Sequence, residues 1–481
     1  MYIKKGMKRM AVTDLKRRDK ILNGNLFSVI LQICLPLFIY NLFDSLYSFV
    51  DTIMVSNISM EGVSSVAAIS QIKAMFNAIG VGLASGGSIL VARSFGAGDF
   101  DRGNKIIKVL STLGIIVALS LCVICIPFSG PILLLCGLDE NLLGISTGYF
   151  IVQIINCVVV LFNSIFIGVQ KAKGDTKSIF YLNIISMLSK LLFTSLFIYA
   201  LQVKNTIWVA VATVMSQLIL FAILYVKVNK KDSVYKVNLF QFTLDKKLVK
   251  EILFISLPIM FGKFVFAFGK VAVNAMCKSY GPMVVGALAI SNNINGLVTN
   301  PINSFEEGES SIVSQNLGNN NSKRALKAFF VTLLISVITG IIGYILIRFI
   351  FQDNLISIFS KTESELVGMT SHEFMKLIES INNYDSLSIL ALSINSSVLG
   401  ILYGYGKTKL AMIVNICRVF VFRVPVLWFL QTFHPEMGAE CAGISMGVSN
   451  ILIATMSVII LIIFLASLNK KNKKEKLQNQ E

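Results

Sequence analysis

Val109-Leu-Ser-Thr-Leu-Gly-Ile-Ile-Val-Ala-Leu-Ser-Leu-Cys-Val-Ile-Cys-Ile-Pro127 contains no Asp, Glu, Lys, Arg or His. A helix rises 1.5 Å per residue, so about 20 such residues cross a hydrocarbon core of roughly 30 Å. Ile451-Leu-Ile-Ala-Thr-Met-Ser-Val-Ile-Ile-Leu-Ile-Ile-Phe-Leu465 is a second stretch of this kind. The chain has 481 residues, 55% hydrophobic and 14% charged, whereas a soluble domain is about 45–50% apolar. Comparable runs predict about twelve spans, near 28–56, 62–92, 105–127, 141–170, 178–201, 206–227, 249–277, 283–315, 324–351, 383–404, 410–432 and 440–468. The expected fold is therefore an all-α polytopic membrane protein.

The formal net charge of +17 would suit nucleic acid only if it were gathered into one surface. Instead, Lys4, Lys5, Lys8, Arg9, Lys16, Arg17, Arg18 and Lys20 precede the first span, and Lys470, Lys471, Lys473, Lys474 and Lys476 follow the last. Every second connection is also basic: Arg93 to Lys108, Lys171 to Lys177, Lys227 to Lys236, Lys323 to Lys327, and Lys407 with Lys409. This is the positive-inside pattern, which expects both termini in the cytoplasm and no nucleic-acid partner. The basic N-terminus runs into an apolar stretch too long for a signal-peptide core, so the first span is expected to stay. The eight cysteines mostly sit in apolar runs, where a thiol acts as a small hydrophobe. Cys122 and Cys125 have metal-like spacing without a second pair or a histidine, so no metal site is expected.

The chain matches itself. Leu35-Pro36 pairs with Leu257-Pro258, Gly86 with Gly308, Gly96 with Gly318, Arg102 with Arg324 and Lys105 with Lys327, each 222 positions apart. Further on the offset is 232: Asn163-Ser164 pairs with Asn395-Ser396, Gly168 with Gly400, and Gly174-Asp-Thr-Lys177 with Gly406-Lys-Thr-Lys409. Two six-helix bundles follow, and an even number of spans per unit relates them by a pseudo-two-fold axis along the membrane normal. The expected organisation is a basic N-terminal tail (1–27), an N-lobe (28–227), a cytoplasmic linker (228–247), a C-lobe (248–468) and a basic C-terminal tail (469–481). Gly404-Tyr-Gly-Lys-Thr408 resembles the end of a phosphate-binding loop, but Ile401 stands where the motif needs its first glycine. Its counterpart at Gly174 marks it as a helix-ending turn.

Pro36, Phe49-Val-Asp-Thr52, and Gly86…Leu90-Val-Ala-Arg…Gly96-Ala-Gly-Asp99 resemble the multidrug and toxic-compound extrusion (MATE) family of cation-coupled exporters, over nearly the whole chain. The resemblance implies that Asp51 is the first-helix carboxylate that couples transport to H+ or Na+, and that Pro36 is a bending hinge. Where proton-coupled members commonly carry Asn and, four residues later, Asp on the fifth span, this chain has Lys190 and Thr194.

An ionisable group at mid-bilayer costs at least roughly 2.5–3.5 kcal/mol, so it must face protein, water or an opposite charge. Asp44 and Asp51 are two helical turns apart on one face, with Tyr47 between them. Both carboxylates are ion-coupling candidates. Tyr47, Lys190, Thr194, Asn163, Glu306, Glu309 and Asn395 are cavity or substrate candidates, whereas Lys73 is placed near the outer interface as a structural residue. The second half carries Lys263, Lys270, Glu306, Glu307, Glu309, Asp385, Arg418 and Arg423 inside its spans. They serve either as internal ion pairs or as a substrate or ion site, and the first reading puts Lys263 or Lys270 within salt-bridge reach of Glu306 or Glu309. Asn292, Asn293, Asn295, Asn300 and Asn303 are expected to line water or another helix.

The function expected is secondary active efflux of small organic compounds from the cell (plasma or inner) membrane, by antiport with H+ or Na+ through alternating access of two lobes. The alternative is a lipid-linked oligosaccharide or polysaccharide flippase of the same superfamily, whose pyrophosphate head group would suit interior Lys and Arg. A membrane-embedded enzyme is disfavoured by the lack of a nucleophile elbow or a metal-ligand set. The expected partners are the lipid bilayer and a small-molecule substrate. No cofactor beyond the coupling ion is expected, and the chain is expected to act as a monomer.

Overall fold

The structure, a computed structural model, describes residues 12–56, 60–135, 143–202, 207–230, 233–237, 241–277, 280–360 and 370–478. The side chains at 48–56, 60–68, 71, 135, 145, 282, 359–360 and 471–478 lie outside the description. Asp51 is therefore placed on a helix, but its side chain is outside the described residues. The described residues form helices, with no strand among them: α1 (Val12–Asn23), α2 (Leu26–Ser56), α3 (Met60–Ala97), α4 (Phe100–Cys125), α5 (Ser129–Leu135), α6 (Leu143–Ala172), α7 (Thr176–Ser195), α8 (Ile207–Val228), α9 (Lys246–Cys277), α10 (Pro282–Gly318), α11 (Ser322–Ile345), α12 (Gln352–Ser360), α13 (Ser371–Asp385), α14 (Ser388–Gly404), α15 (Thr408–Ile416), α16 (Val424–Phe433) and α17 (Glu440–Gln478). A π-helical turn extends α7 (Leu196–Ala200) and α11 (Leu346–Ile350), and another (Cys417–Arg423) joins α15 to α16 in one rod.

Among the described residues, ten helices are long and apolar enough to span a membrane, and the pair α13–α14, bent by 43°, makes an eleventh. The remaining long helix, α10, matches the eighth expected span but is too rich in Asn, Ser and Glu to pass on apolarity. It is tolerated because it lies inside the protein against α2, α3, α11, α13 and α14. The tenth span differs from expectation. It begins at Ser371 rather than near 383, on a capping box in which Thr370 accepts from the Glu373 amide and the Glu373 carboxylate accepts from the Thr370 amide. Its start is polar, which hydropathy cannot detect.

The packing of the second half repeats the first. α3 packs on α4 and α6, α6 on α8, and α2 on α7; correspondingly α10 packs on α11 and α14, α14 on α17, and α9 on α15. The connecting turns repeat too. Gly174 (φ +74°) and Gly406 (φ +72°) occupy equivalent left-handed positions after α6 and α14. In each turn the third amide past the helix end reaches back five residues, Asp175 to Gln170 at 2.9 Å and Lys407 to Leu402 at 2.8 Å. These are glycine-stopped helix ends, as the discarded phosphate-loop reading implied. Asp99 and Asn321, 222 positions apart, cap α4 and α11 by accepting from the Arg102 and Arg324 amides, both at 3.0 Å.

Contacts between the halves are reciprocal. A Cβ on Gly96 would strike the Gln315 backbone, and one on the equivalent Gly318 would strike Arg93, the equivalent of Gln315. Gly86 is pressed on Ser256 just as Gly308 is pressed on Cys34. Arg93 donates to the Gly404 carbonyl at 3.0 Å, and Gln315 donates to Ala172 at 2.9 Å. Such mutual exchange is what a two-fold relation produces. The Arg93, Gly96, Gln315 and Gly318 contacts lie where α3, α6, α10 and α14 all terminate, so equivalent helix ends share one end of the molecule and the axis runs along the helices. An inverted repeat would separate them.

The two segments expected as a tail and a linker are built into this end. Arg18 on α1 donates to the Phe95 and Gly96 carbonyls at 2.8 and 2.6 Å. Arg324 of the second half donates to Ile21 at 3.1 Å and Gly24 at 2.5 Å, closing the C-terminus of α1. Tyr235 of the connecting segment is fully buried against Phe95 and Phe100, and burial raises its phenol above the ordinary range.

Candidate functional site

Beyond the closed end, the described residues surround two cavities that share Asn41, Lys263, Glu306, Glu307 and Tyr403. The smaller, of about 200 Å³, lies between the halves near Ser88, Gly168, Lys171 and Asn183. The larger, of about 630 Å³, lies mainly in the second half, walled by α9, α10, α14, the π turn and α17, with Asn41 and Asp44 of α2 on its near side.

At the junction Lys171 pairs with Glu307 at 2.5 Å across the halves. Ser311 also donates to the Lys171 carbonyl at 2.7 Å. The expected pairing is corrected here: among the described residues neither Lys263 nor Lys270 comes within 4.0 Å of Glu306 or Glu309. Lys171, at the end of α6, sits where a basic topology marker was expected, and the fold turns it inward against α10. Glu306 faces both cavities. Glu309 lines neither. It is fully buried behind Gly400, and neither carboxyl oxygen has a hydrogen-bond partner among the described residues.

In the larger cavity the 43° bend between α13 and α14 leaves Asp385 in the wall, 2% exposed, accepting from Asn295 at 2.8 Å and Ser388 at 3.1 Å. The same cavity is lined by a group of cations, Lys270, Arg418 and Arg423. Arg418 donates its Nε to Asn450 at 2.8 Å; Arg423, 1% exposed, donates to the same Asn450 oxygen at 3.0 Å and to Ser449 at 3.1 Å. The Arg418 guanidinium and the Lys270 ammonium lie 4.8 and 5.1 Å from the centre of the Phe266 ring. In an α-helix, residues five apart point about 140° away from each other. The π turn closes i to i+5 bonds, and Val424 donates to Val419 there, so Arg418 and Arg423 come round to one side.

The first-half candidates are only partly united. Lys190 stands over the ring of buried Tyr47 at 4.9 Å, and Asp44 reaches the larger cavity. Among the described residues Thr194 is buried with its hydroxyl unbonded, and Asn163 donates to Gln217 at 2.9 Å; neither lines either of these two cavities. Asn395, equivalent to Asn163, lines the larger cavity and accepts from Ser457 at 2.7 Å. Pro36 lies within α2, where it cannot donate to the Gln32 carbonyl. The Thr176 hydroxyl donates to that carbonyl instead, at 3.3 Å. Sequence reasoning overlooked Phe266, Ser449 and Asn450, whose residue types are unremarkable in their helices, and it weighed Arg418 and Arg423 without naming them as candidates.

The MatE family model matches residues 36–196 and again 258–429. The probable multidrug resistance protein YoeA of Bacillus subtilis is 23% identical over 384 residues, 77% of this chain and 80% of that protein. An FAD transporter of Shewanella oneidensis is 19% identical over 420 residues, 86% of this chain and 90% of that protein. Among solved structures, a MATE in complex with MaL6 superposes with a TM-score of 0.86 at 18% identity, over 94% of this chain and 99% of that one. The outward-facing conformation of a multidrug resistance MATE family transporter of the MOP superfamily superposes with a TM-score of 0.85 at 19% identity, over 94% and 98%.

Proposed function

The chain belongs to the MatE family of membrane transporters, and from that premise we propose that it is a secondary active exporter of small organic compounds, driven by H+ or Na+ antiport, whose halves rock about their pseudo-two-fold axis. It works in the plasma or inner membrane with both termini cytoplasmic, because the closed end carries the basic connections. The observation that carries this reading is the asymmetry of closure. Glycine contacts, Lys171–Glu307 and the Arg93 and Gln315 bonds seal the basic end, while a cavity of about 630 Å³ lies beyond the seal. A substrate held there would reach the cytoplasm only when those few polar bonds exchange for water, a change that ligand and ion binding can bias.

Asp51, with Asp44 two turns before it, is assigned to ion coupling. Neutralising a carboxylate inside the membrane removes a charge whose burial is costly, and the α2 hinge at Pro36 is the element positioned to respond. Lys190, held over Tyr47, is the cation that would compete with the coupling ion. No cofactor beyond that ion is invoked, and a single chain suffices. The test is flux in proteoliposomes under imposed proton or sodium gradients, against cationic, zwitterionic and anionic compounds. Asp51→Asn is expected to abolish gradient-driven flux while the protein stays folded and inserted; wild-type, pH-dependent flux in that variant would remove Asp51 from the mechanism.

A further inference from the structure

We propose that the cationic end of the larger cavity is a binding site for the phosphate or carboxylate head of a soluble organic anion, which makes the carrier's substrates anionic; this rests on the transport reading above. Lys270, Arg418 and Arg423 gather there, and among the described residues none has a carboxylate within 4.0 Å. Asp385, the acid in the same wall, spends both oxygens on Asn295 and Ser388. Glu307 is taken by Lys171. The remaining lining acids, Glu306 and Asp44, are on α10 and α2, on the side of the cavity that adjoins the junction between the halves.

Protein neighbours hold the cations in place; Asp385 attracts all three and Glu306 attracts Arg418, but among the described residues neither acid closes an ion pair with them. One Asn450 oxygen accepts from both guanidinium groups, which fixes two like charges side by side at an electrostatic cost that a shared anion would remove. Among the described residues Arg418 engages a protein acceptor through Nε alone, which leaves its two terminal nitrogens as a fork matched to a carboxylate or phosphate. Phe266, with the Arg418 guanidinium and the Lys270 ammonium over its ring, adds an apolar group to the cavity wall beside the charge. The π turn that brings Arg418 and Arg423 to one side is a departure from regular helix of the kind kept at functional positions.

The probe is carboxyfluorescein, titrated by fluorescence anisotropy onto the full-length protein in neutral detergent, with ethidium as the cationic counterpart. Carboxyfluorescein is expected to bind saturably, with affinity about tenfold weaker in Arg418→Gln and in Lys270→Gln. Lys105→Gln, on the exposed basic surface of α4, should leave it unchanged. Equal affinity in wild type and both cavity variants, or displacement of carboxyfluorescein by ethidium, would overturn the proposal. Adding phosphatidylglycerol to the micelles separates the two sources of such a head: displacement by the lipid at low mole fraction would overturn the soluble-anion assignment in favour of a lipid head group. Flux in proteoliposomes then separates this proposal from the one it rests on. Ethidium carried without carboxyfluorescein sinks the anion site alone, whereas carboxyfluorescein bound at Arg418 but never moved by a gradient sinks the transport reading and leaves the site.

Discussion

Asp14 lies at the closed end, where its carboxylate accepts from Lys173 and from the Val234 amide, each at 3.3 Å, and pairs with Arg17 at 3.1 Å. Lys173 is 3% exposed, and burial holds its ammonium below the ordinary lysine value of 10.5, outweighing the attraction of Asp14. Removing one member of a buried pair costs more than the pair contributes, because the other charge is stranded. Asp14→Asn is therefore expected to lower stability by about 3 kcal/mol at neutral pH. The sign of the pH dependence follows from the lowered value: between the folded and unfolded lysine values the unfolded chain binds more protons, so stability rises with pH. The Asp14→Asn deficit should accordingly shrink as pH approaches 10.5, because a neutral Lys173 no longer needs the carboxylate. Thermal unfolding of both proteins from pH 7 to pH 10.5 checks this, and a deficit that widens with pH would contradict it.

At the scale of elements, proline in a helix is usually read as a bend, yet α2 runs unbroken through Pro36. The carbonyl that the proline cannot satisfy is Gln32, and Thr176, in the family-like Gly-Asp-Thr-Lys turn, supplies the missing donor. Two motifs 140 positions apart are thus one structural unit. Thr176→Val preserves shape and removes the donor, so it should cost about 1 kcal/mol and loosen α2 locally. Hydrogen exchange at the amides around Gln32 and Pro36 is expected to quicken in this variant, whereas Ser178→Ala, which loses only a bond to Asp175, should leave those amides unchanged. The bend of the tenth span differs because it lies between two helices. Ser388 bonds Asp385 across it, so the bend carries an acid of the cavity wall.

For the whole molecule, the reciprocal contacts make closure of the basic end a two-fold event, and equivalent substitutions should have equal effects. A valine at Gly96 must displace the Gln315 backbone, and one at Gly318 must displace Arg93. Overpacking of this kind costs about 1–3 kcal/mol, here charged to the closed form alone. Cys34, fully buried beside Gly308 at the seam, reports opening. Site-resolved labelling of Cys34 by a maleimide should be about tenfold faster in Gly96→Val and equally in Gly318→Val. Gly130→Val, at a position with open space around it, should match wild type. Unequal effects of the two seam variants would argue against symmetric closure.

The spans, their shared orientation and the duplication could be read from residues alone, because hydrocarbon demands long apolar helices whatever their neighbours, and a repeat is preserved as matching Gly, Pro and basic positions. The glycine turns at 174 and 406 were equally legible, since a helix end with positive φ is a local requirement. Which charges meet was decided only by the tertiary structure. Lys171 and Glu307 are 136 positions apart and meet because the halves close; Lys263 and Glu306, on consecutive helices, do not. Arg418 and Arg423 share Asn450 only because their helix takes a π turn and α17 packs against it. Membrane insertion tests each segment's own composition, whereas an ion pair or a cationic pocket depends on helix rotation and seam geometry, and those are set by packing among many segments at once.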